Sequence, residues 1–291
     1  MRLQQKLEAG EFVVLAEMEP PKGTDVKAMV SNAMNVKNVV DAYVIPEMSN
    51  AVMRMSSLGG AMVLANKGLE TVFQMCCRDR NRLALQGDLL AAQALGIDNV
   101  MAVTGEDISF GDHHKARAVN DIDLQELLGA IQTLQTGKDM AGIELKGTPK
   151  FLVGSPVNAG SSALDLELAD MDQKIASGVR FFVSPPLFDL GVLDKFMKRL
   201  EGRQAYVIPT VLLLKSVGMA RYMQRHFEQV HLPEDFITRI QKAPERVREC
   251  VQIAGELVAA LKKQGAAGVL ISTIGWEDKL PAILGAAAYM E

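Results

Sequence analysis

The chain has 291 residues, 48% of them hydrophobic, and a net charge of −4 from 31 basic and 35 acidic side chains that are well mixed. That length and apolar content imply a large core, in one large α/β domain or two small ones, and the mixed charge excludes the basic footprint of a protein that binds nucleic acid or an anionic membrane. No apolar run approaches the ~18 residues that a membrane-inserted helix needs, Met1 to Gly10 reads as an amphipathic start rather than a signal peptide, and three cysteines with four histidines at no recognised spacing point to a cytoplasmic protein with neither a disulfide framework nor a metal site.

In chain order, the first predicted element is the apolar run Phe12–Ala16, stopped by Glu17, Glu19, Pro20, Pro21 and Gly23. Strand alternation puts Val13, Leu15, Glu17 and Glu19 on one face, so this strand carries a row of side chains from an apolar interior up to an acidic end. Thr24 is placed to cap a helix bearing Val26, Met29, Val30, Ala33 and Val36. The second strand is read over Val39–Met48, a helix over Arg54–Lys67, and the third strand over Thr71–Cys77. Asp79 is the expected N-cap of the next helix, with its arginine neighbours tying loops together. A fourth strand, Asn99–Val103, runs into the loop Thr104–Arg117, and a helix is expected over Asp121–Thr136.

The polar stretch Gly137–Pro149 reads as a floppy excursion. Strand five is placed at Phe151–Val157, then a helix with Leu164, Leu168, Met171 and Ile175 on one face. Strand six is Val179–Val183, a helix follows over Gly191–Leu200, and strand seven is Ala205–Leu213, where Pro209 favours an irregular end. Short helices at Met219–Phe227 and Pro233–Lys242, a long one at Pro244–Gln264, strand eight at Gly268–Ile274 and a closing helix from Leu280 complete the series. Eight apolar strands separated by helices, arriving every ~25 to 45 residues, match one closed (β/α)₈ TIM barrel over residues 1–291. An open doubly wound sheet is the runner-up, and the chain has neither GxGxxG nor GxxxxGK[ST] after any strand to support it.

Several collinear motifs, EMEPPKG at 17–23, VMRMSS at 52–57, CRDRNRLALQGDLLAAQALGI at 77–97, MAVTGED at 101–107 and LKSVGMARYM at 214–223, resemble the methylenetetrahydrofolate reductase family. The resemblance implies a barrel with FAD across the C-terminal strand ends that reduces 5,10-methylenetetrahydrofolate to 5-methyltetrahydrofolate in one-carbon metabolism. Glu17 matches the family's catalytic glutamate, a general acid that helps open the imidazolidine ring. A carboxyl at the mouth of an apolar barrel is expected to have a raised pKa suited to that task. Thr104, Gly105 and Glu106 match the family's TGD segment beside flavin and pterin, so Glu106 is expected as a second catalytic residue as well as a cofactor contact, with its carboxylate one methylene further out. Lys174 matches a lysine near the FAD diphosphate, and Asp170 on the same helix joins the expected cofactor set.

Gln74 and Ser155 stand at cofactor-facing positions where the family often has His and Tyr, while Pro46 and Pro185 replace a Thr and a Gln. These departures keep two other readings open: a pterin-binding barrel that transfers methyl groups without redox chemistry, and a partner subunit of a larger reductase complex. With no second nucleotide-binding motif, and fewer cysteines than the four that ligate an iron–sulfur cluster, a reductase of this sequence takes electrons from NAD(P)H or from an electron-donating protein. Homo- and hetero-oligomers are both compatible with the sequence.

Overall fold

Eight parallel strands pair in chain order and close, first against last, into a barrel in the computed structural model, which describes residues 2–200, 202–227 and 230–288. The strands are β1 (Val13–Glu17), β2 (Ala42–Ile45), β3 (Thr71–Cys76), β4 (Asn99–Val103), β5 (Leu152–Pro156), β6 (Val179–Pro186), β7 (Tyr206–Leu212) and β8 (Gly268–Ser272). Around them lie α1 (Arg2–Glu8), α2 (Lys27–Asn35), α3 (Ser57–Ala65), α4 (Arg82–Ala94), α5 (Leu124–Leu134), α6 (Leu164–Ala176), α7 (Leu190–Lys198), α8 (Val217–His226), α9 (Glu234–Lys242), α10 (Arg246–Lys263) and α11 (Leu280–Ala288). Of the expected span 1–291, Met1, Glu201, Glu228, Gln229 and residues 289–291 lie outside the described residues.

The strands are apolar on both sides because each side meets a different core. One side faces the helix layer; the other forms an inner cluster of Val13, Leu15, Ala42, Val44, Val72, Met101, Leu152, Phe181, Val183, Ile208 and Leu270. Leu3 and Leu7 of α1 complete that cluster from below, at the N-terminal strand ends. The amides of Arg2 and Leu3 donate to the Glu70 carboxylate at 3.0 and 2.9 Å, which fixes this floor in place. The barrel is therefore filled at the bottom and middle, and chemistry is left to the C-terminal ends.

Local signals set several boundaries away from those expected. β1 extends through Glu17, and β2 is only Ala42–Ile45, ending where Pro46 withholds a ladder donor. α2 begins at Lys27 without a side-chain cap, and Asp25 rather than Thr24 accepts the Lys27 amide at 3.0 Å. α3 is shorter than expected because Ser56 caps it. Asn81, not Asp79, caps α4: its side chain accepts from the Ala84 amide, while Asp79 is held by Arg78. Pro209 lies within β7 rather than at an irregular end. The irregularity is on β6, where the register with β7 shifts between Val183 and Pro186, and Ser184 bonds Thr210 through both its hydroxyl and its carbonyl.

Gly137–Pro149 is also structured. A Lys138–Glu144 bridge, main-chain bonds from Asp139 to Ile143 and from Leu145 to Gly137, and an Asp139 carboxylate that accepts the Ala141 and Ile143 amides make it a closed turn. Phe181 of β6 determines its neighbour: a Cβ at Gly154 would stand 2.1 Å from the Phe181 ring, so glycine is what lets that aromatic fill the barrel interior.

Candidate active site

The inner row Val13–Leu15–Glu17 climbs from the apolar cluster to the mouth, and the row on β8 climbs with it from Leu270 to Ser272. Ala16 pairs with Ile271, so Glu17 and Ser272, the last residues of adjacent strands, stand at one level. The Ser272 hydroxyl donates to Glu17 Oε1 at 2.7 Å. Burial pushes the Glu17 carboxyl up from 4.5 to about 7; the Ser272 bond opposes this, and the nearby charges of Glu19, Glu277 and Glu106 add to it. Glu17 can thus hold a proton at neutral pH and also release one, as a general acid must.

The neighbours of Glu17 are held in separate pairs. Glu19 meets Arg54 Nε at 2.9 Å in an ion pair; its carboxyl is raised by burial against the pull of Arg54. Lys215, just past β7, donates to the Ile274 carbonyl and lies 5.1 Å from the centre of the Trp276 ring. Burial lowers the Lys215 pKa, while Glu277 and Glu19 oppose that shift. Lys215 and Trp276 belong to loops after β7 and β8 that the sequence alone leaves without a role.

On the opposite side of the mouth, Gly105 has a left-handed φ of 91°, and a Cβ there would stand 2.3 Å from Cys76 Sγ. Only glycine lets the Thr104–Glu106 backbone lie this close over the end of β3. The Cys76 thiol donates to the Thr104 carbonyl at 3.2 Å. Arg78 secures the loop from beneath: its side chain is buried, it grips both Asp79 oxygens at 2.7 Å, and it donates to the Glu106 carbonyl at 3.2 Å. The Glu106 carboxylate is exposed and 3.7 Å from Arg78 Nη1. Arg78, Thr104, Gly105, Glu106, Asp107 and Asn120 line a cleft of about 250 Å³ here.

Gln74 lies on the inner side of β3, two residues above Val72, and its amide oxygen accepts the Glu47 main-chain N–H at 3.3 Å. That bond engages the amide oxygen, and among the described residues the Gln74 NH₂ has no hydrogen-bond partner. Glu47 itself is a buried carboxylate that sequence reasoning missed. It accepts from the Ser57 amide at 3.1 Å and lies 3.4 Å from Arg80, and burial raises its pKa against those two partners. Its only sequence signal is a carboxylate directly after a strand-ending proline.

Glu17, Gln74 and the Thr104–Glu106 loop therefore meet around the mouth, whereas the other expected site residues do not. Ser155 is fully buried on the helix-facing side of β5 with Val153 and Val157, and its hydroxyl donates to the Ala102 carbonyl at 3.3 Å. The Lys174 ammonium is buried between Asp170 at 2.6 Å and the Pro156 carbonyl at 2.9 Å, tying α6 to the end of β5. For FAD, the group the resemblance implies, the close-packed glycine loop offers bare main chain beside a cleft of about 250 Å³, room for part of the cofactor. Lys174 is already spent on protein partners.

Solved structures show the same fold. An uncharacterized protein from Clostridium thermocellum that binds two copies of 5-methyl-5,6,7,8-tetrahydrofolic acid superposes with a TM-score of 0.65 at 13% identity, covering 98% of this chain and 97% of the other. EDTA monooxygenase from Chelativorans sp. BNC1 gives 0.55 at 12% identity over 96% and 94%. A 2,3-dimethylmalate lyase of the PEP mutase/isocitrate lyase superfamily gives 0.54 at 9% over 99% and 82%. At such identities these likenesses speak to fold alone. The family model described as Methylenetetrahydrofolate reductase, however, matches residues 2–288, and the chain belongs to the methylenetetrahydrofolate reductase family.

Proposed function

We propose that this protein reduces 5,10-methylenetetrahydrofolate to 5-methyltetrahydrofolate with FAD as its redox group and Glu17 as its proton donor. The observation that carries the reading is a carboxyl at the barrel mouth, pushed up to about 7, with one oxygen held by Ser272. Family membership over nearly the whole chain supports it, as does a structural neighbour that binds the proposed product.

In this reading Glu17 delivers its proton to the ring nitrogen that leaves the bridging carbon, opening the imidazolidine to an electrophilic iminium. FAD, when bound and reduced, supplies the hydride that completes the methyl group. Thr104, Gly105, Glu106 and Gln74 hold flavin and pterin: the loop through bare main chain, Glu106 through an exposed acceptor, and Gln74 through the free donor end of its amide. Lys174 and Asp170 act on that site indirectly, by fixing α6 to the end of β5. Electrons for a bound flavin would come from NAD(P)H or from a protein donor.

The burial of Ser155 and the engagement of Lys174 favour a second reading, a pterin-binding barrel without flavin. Incubation with FAD, gel filtration and a visible spectrum separate the two. The proposal predicts a yellow protein with non-covalently bound flavin; protein that emerges colourless yet binds 5-methyltetrahydrofolate establishes the second reading instead.

A further inference from the structure

Glu17 has two carboxyl oxygens in different surroundings. Oε1 receives the Ser272 hydroxyl at 2.7 Å, and Oε2 has no hydrogen-bond partner among the described residues and is not one of the enclosed, unpartnered polar atoms. Ser272 is itself buried and rigidly placed: it ends β8, pairs with Leu212 of β7, and its carbonyl accepts the Leu213 amide at 2.9 Å. A hydroxyl placed in this way keeps its donor directed at one oxygen so long as the acid proton is on the other; with the proton on Oε1 it would have to turn and accept instead. It can donate to Oε1 of the carboxylate, and equally to Oε1 of the neutral acid when the proton is on Oε2.

We infer that Ser272 is a positioning residue for the proton donor: by occupying Oε1 it confines the acidic proton to Oε2, the oxygen open to the mouth, and it keeps the ionised form accessible. The inference rests on the reading of Glu17 as the acid, but its geometry is independent of the substrate. Without Ser272 the carboxyl would be left with burial and the charges of Glu19, Glu277 and Glu106, all of which disfavour its ionised form. From β1 comes Glu19, paired with Arg54; from the β8 loop Glu277; from the β4 loop Glu106; Lys215 beyond β7 acts on Glu19 and Glu277. Glu47 at the end of β2 is neutralised within its own network with Arg80. Ser272 is thus the one group in this set that favours the ionised form of Glu17.

Infrared difference spectroscopy of the isolated protein across a pH titration tests this without turnover, with the Glu17→Gln variant identifying the carboxylic C=O band. The wild type should titrate near 7. In Ser272→Ala the midpoint should rise by about one pH unit, since a hydrogen bond to a charged acceptor is lost, and the C=O band should move to higher frequency as Oε1 loses its donor. Ser272→Thr, which keeps the hydroxyl, should restore both. An unchanged midpoint and band in Ser272→Ala overturn the inference, as does a midpoint that falls. A protein that titrates as expected but does not reduce methylenetetrahydrofolate retains the Ser272 assignment and loses only the proposed reaction.

Discussion

A carboxyl held at about 7 in the folded chain and at 4.5 outside it affects stability as well as chemistry. The folded state binds the proton more tightly, so the stability linked to Glu17 is fully present below 4.5 and is lost as pH rises through 7. The loss is on the order of 1–3 kcal/mol by pH 8, the upper figure applying only to a fully enclosed group. Glu17→Gln should therefore melt higher than wild type at pH 8 and lose that advantage at pH 5, and melting curves at the two values check it. The same substitution should slow turnover by ~10² to 10⁴, the usual worth of a general acid. Glu17 was legible in the sequence because alternation along an apolar strand carries its terminal carboxylate out of the hydrophobic interior and onto the rim. Ser272 was not, since a lone serine far along the chain gives no local sign that barrel closure sets it beside β1.

Among the elements, the eight strands and the helices from α2 onward were legible in order and type, because apolar runs and frequent glycine or proline stops mark them; α1, whose Leu3 and Leu7 close the barrel floor, was not read as a helix. Their ends depended on which of several adjacent polar side chains wins the cap. In the segment before α4 both Asp79 and Asn81 qualify by residue type, and the choice is made by Arg78, whose buried guanidinium takes both Asp79 oxygens. Asn81→Ala should then cost about 1 kcal/mol, the ordinary value of a lost cap. Asp79→Ala should cost more, about 2 kcal/mol or above, because it leaves a buried charge short of its partner, and it should loosen the Thr104–Glu106 loop that Arg78 supports. Chemical denaturation of the two variants gives the order directly; equal losses would contradict this account. The partners of Lys174 were not legible for a related reason: an α-helical lysine looks alike in sequence whether it faces solvent, a ligand, or an Asp four residues before it.

At the scale of the whole molecule, α1 and the apolar inner cluster close the floor, so the proposed reaction leaves substrate and electron donor the mouth to share. In the proposed reaction a nicotinamide donor and folate would compete for one surface, the one where Pro46, Gln74 and Pro185 depart from the pattern that the resemblance implies. Anaerobic mixing of FAD-loaded protein with NADH and with NADPH distinguishes the donors: rapid bleaching by either identifies a nucleotide donor, whereas bleaching by dithionite alone rules out both nucleotides and favours a protein donor. The proposed reaction can be watched in one half-turnover that starts from protein already reduced. Mixed anaerobically with 5,10-methylenetetrahydrofolate in a stopped-flow instrument, it should recover its oxidised flavin spectrum while forming an equal amount of 5-methyltetrahydrofolate, with Glu17→Gln slower by ~10² to 10⁴. Flavin that stays reduced in the presence of substrate, or a Glu17→Gln variant that reoxidises at the wild-type rate, would contradict it.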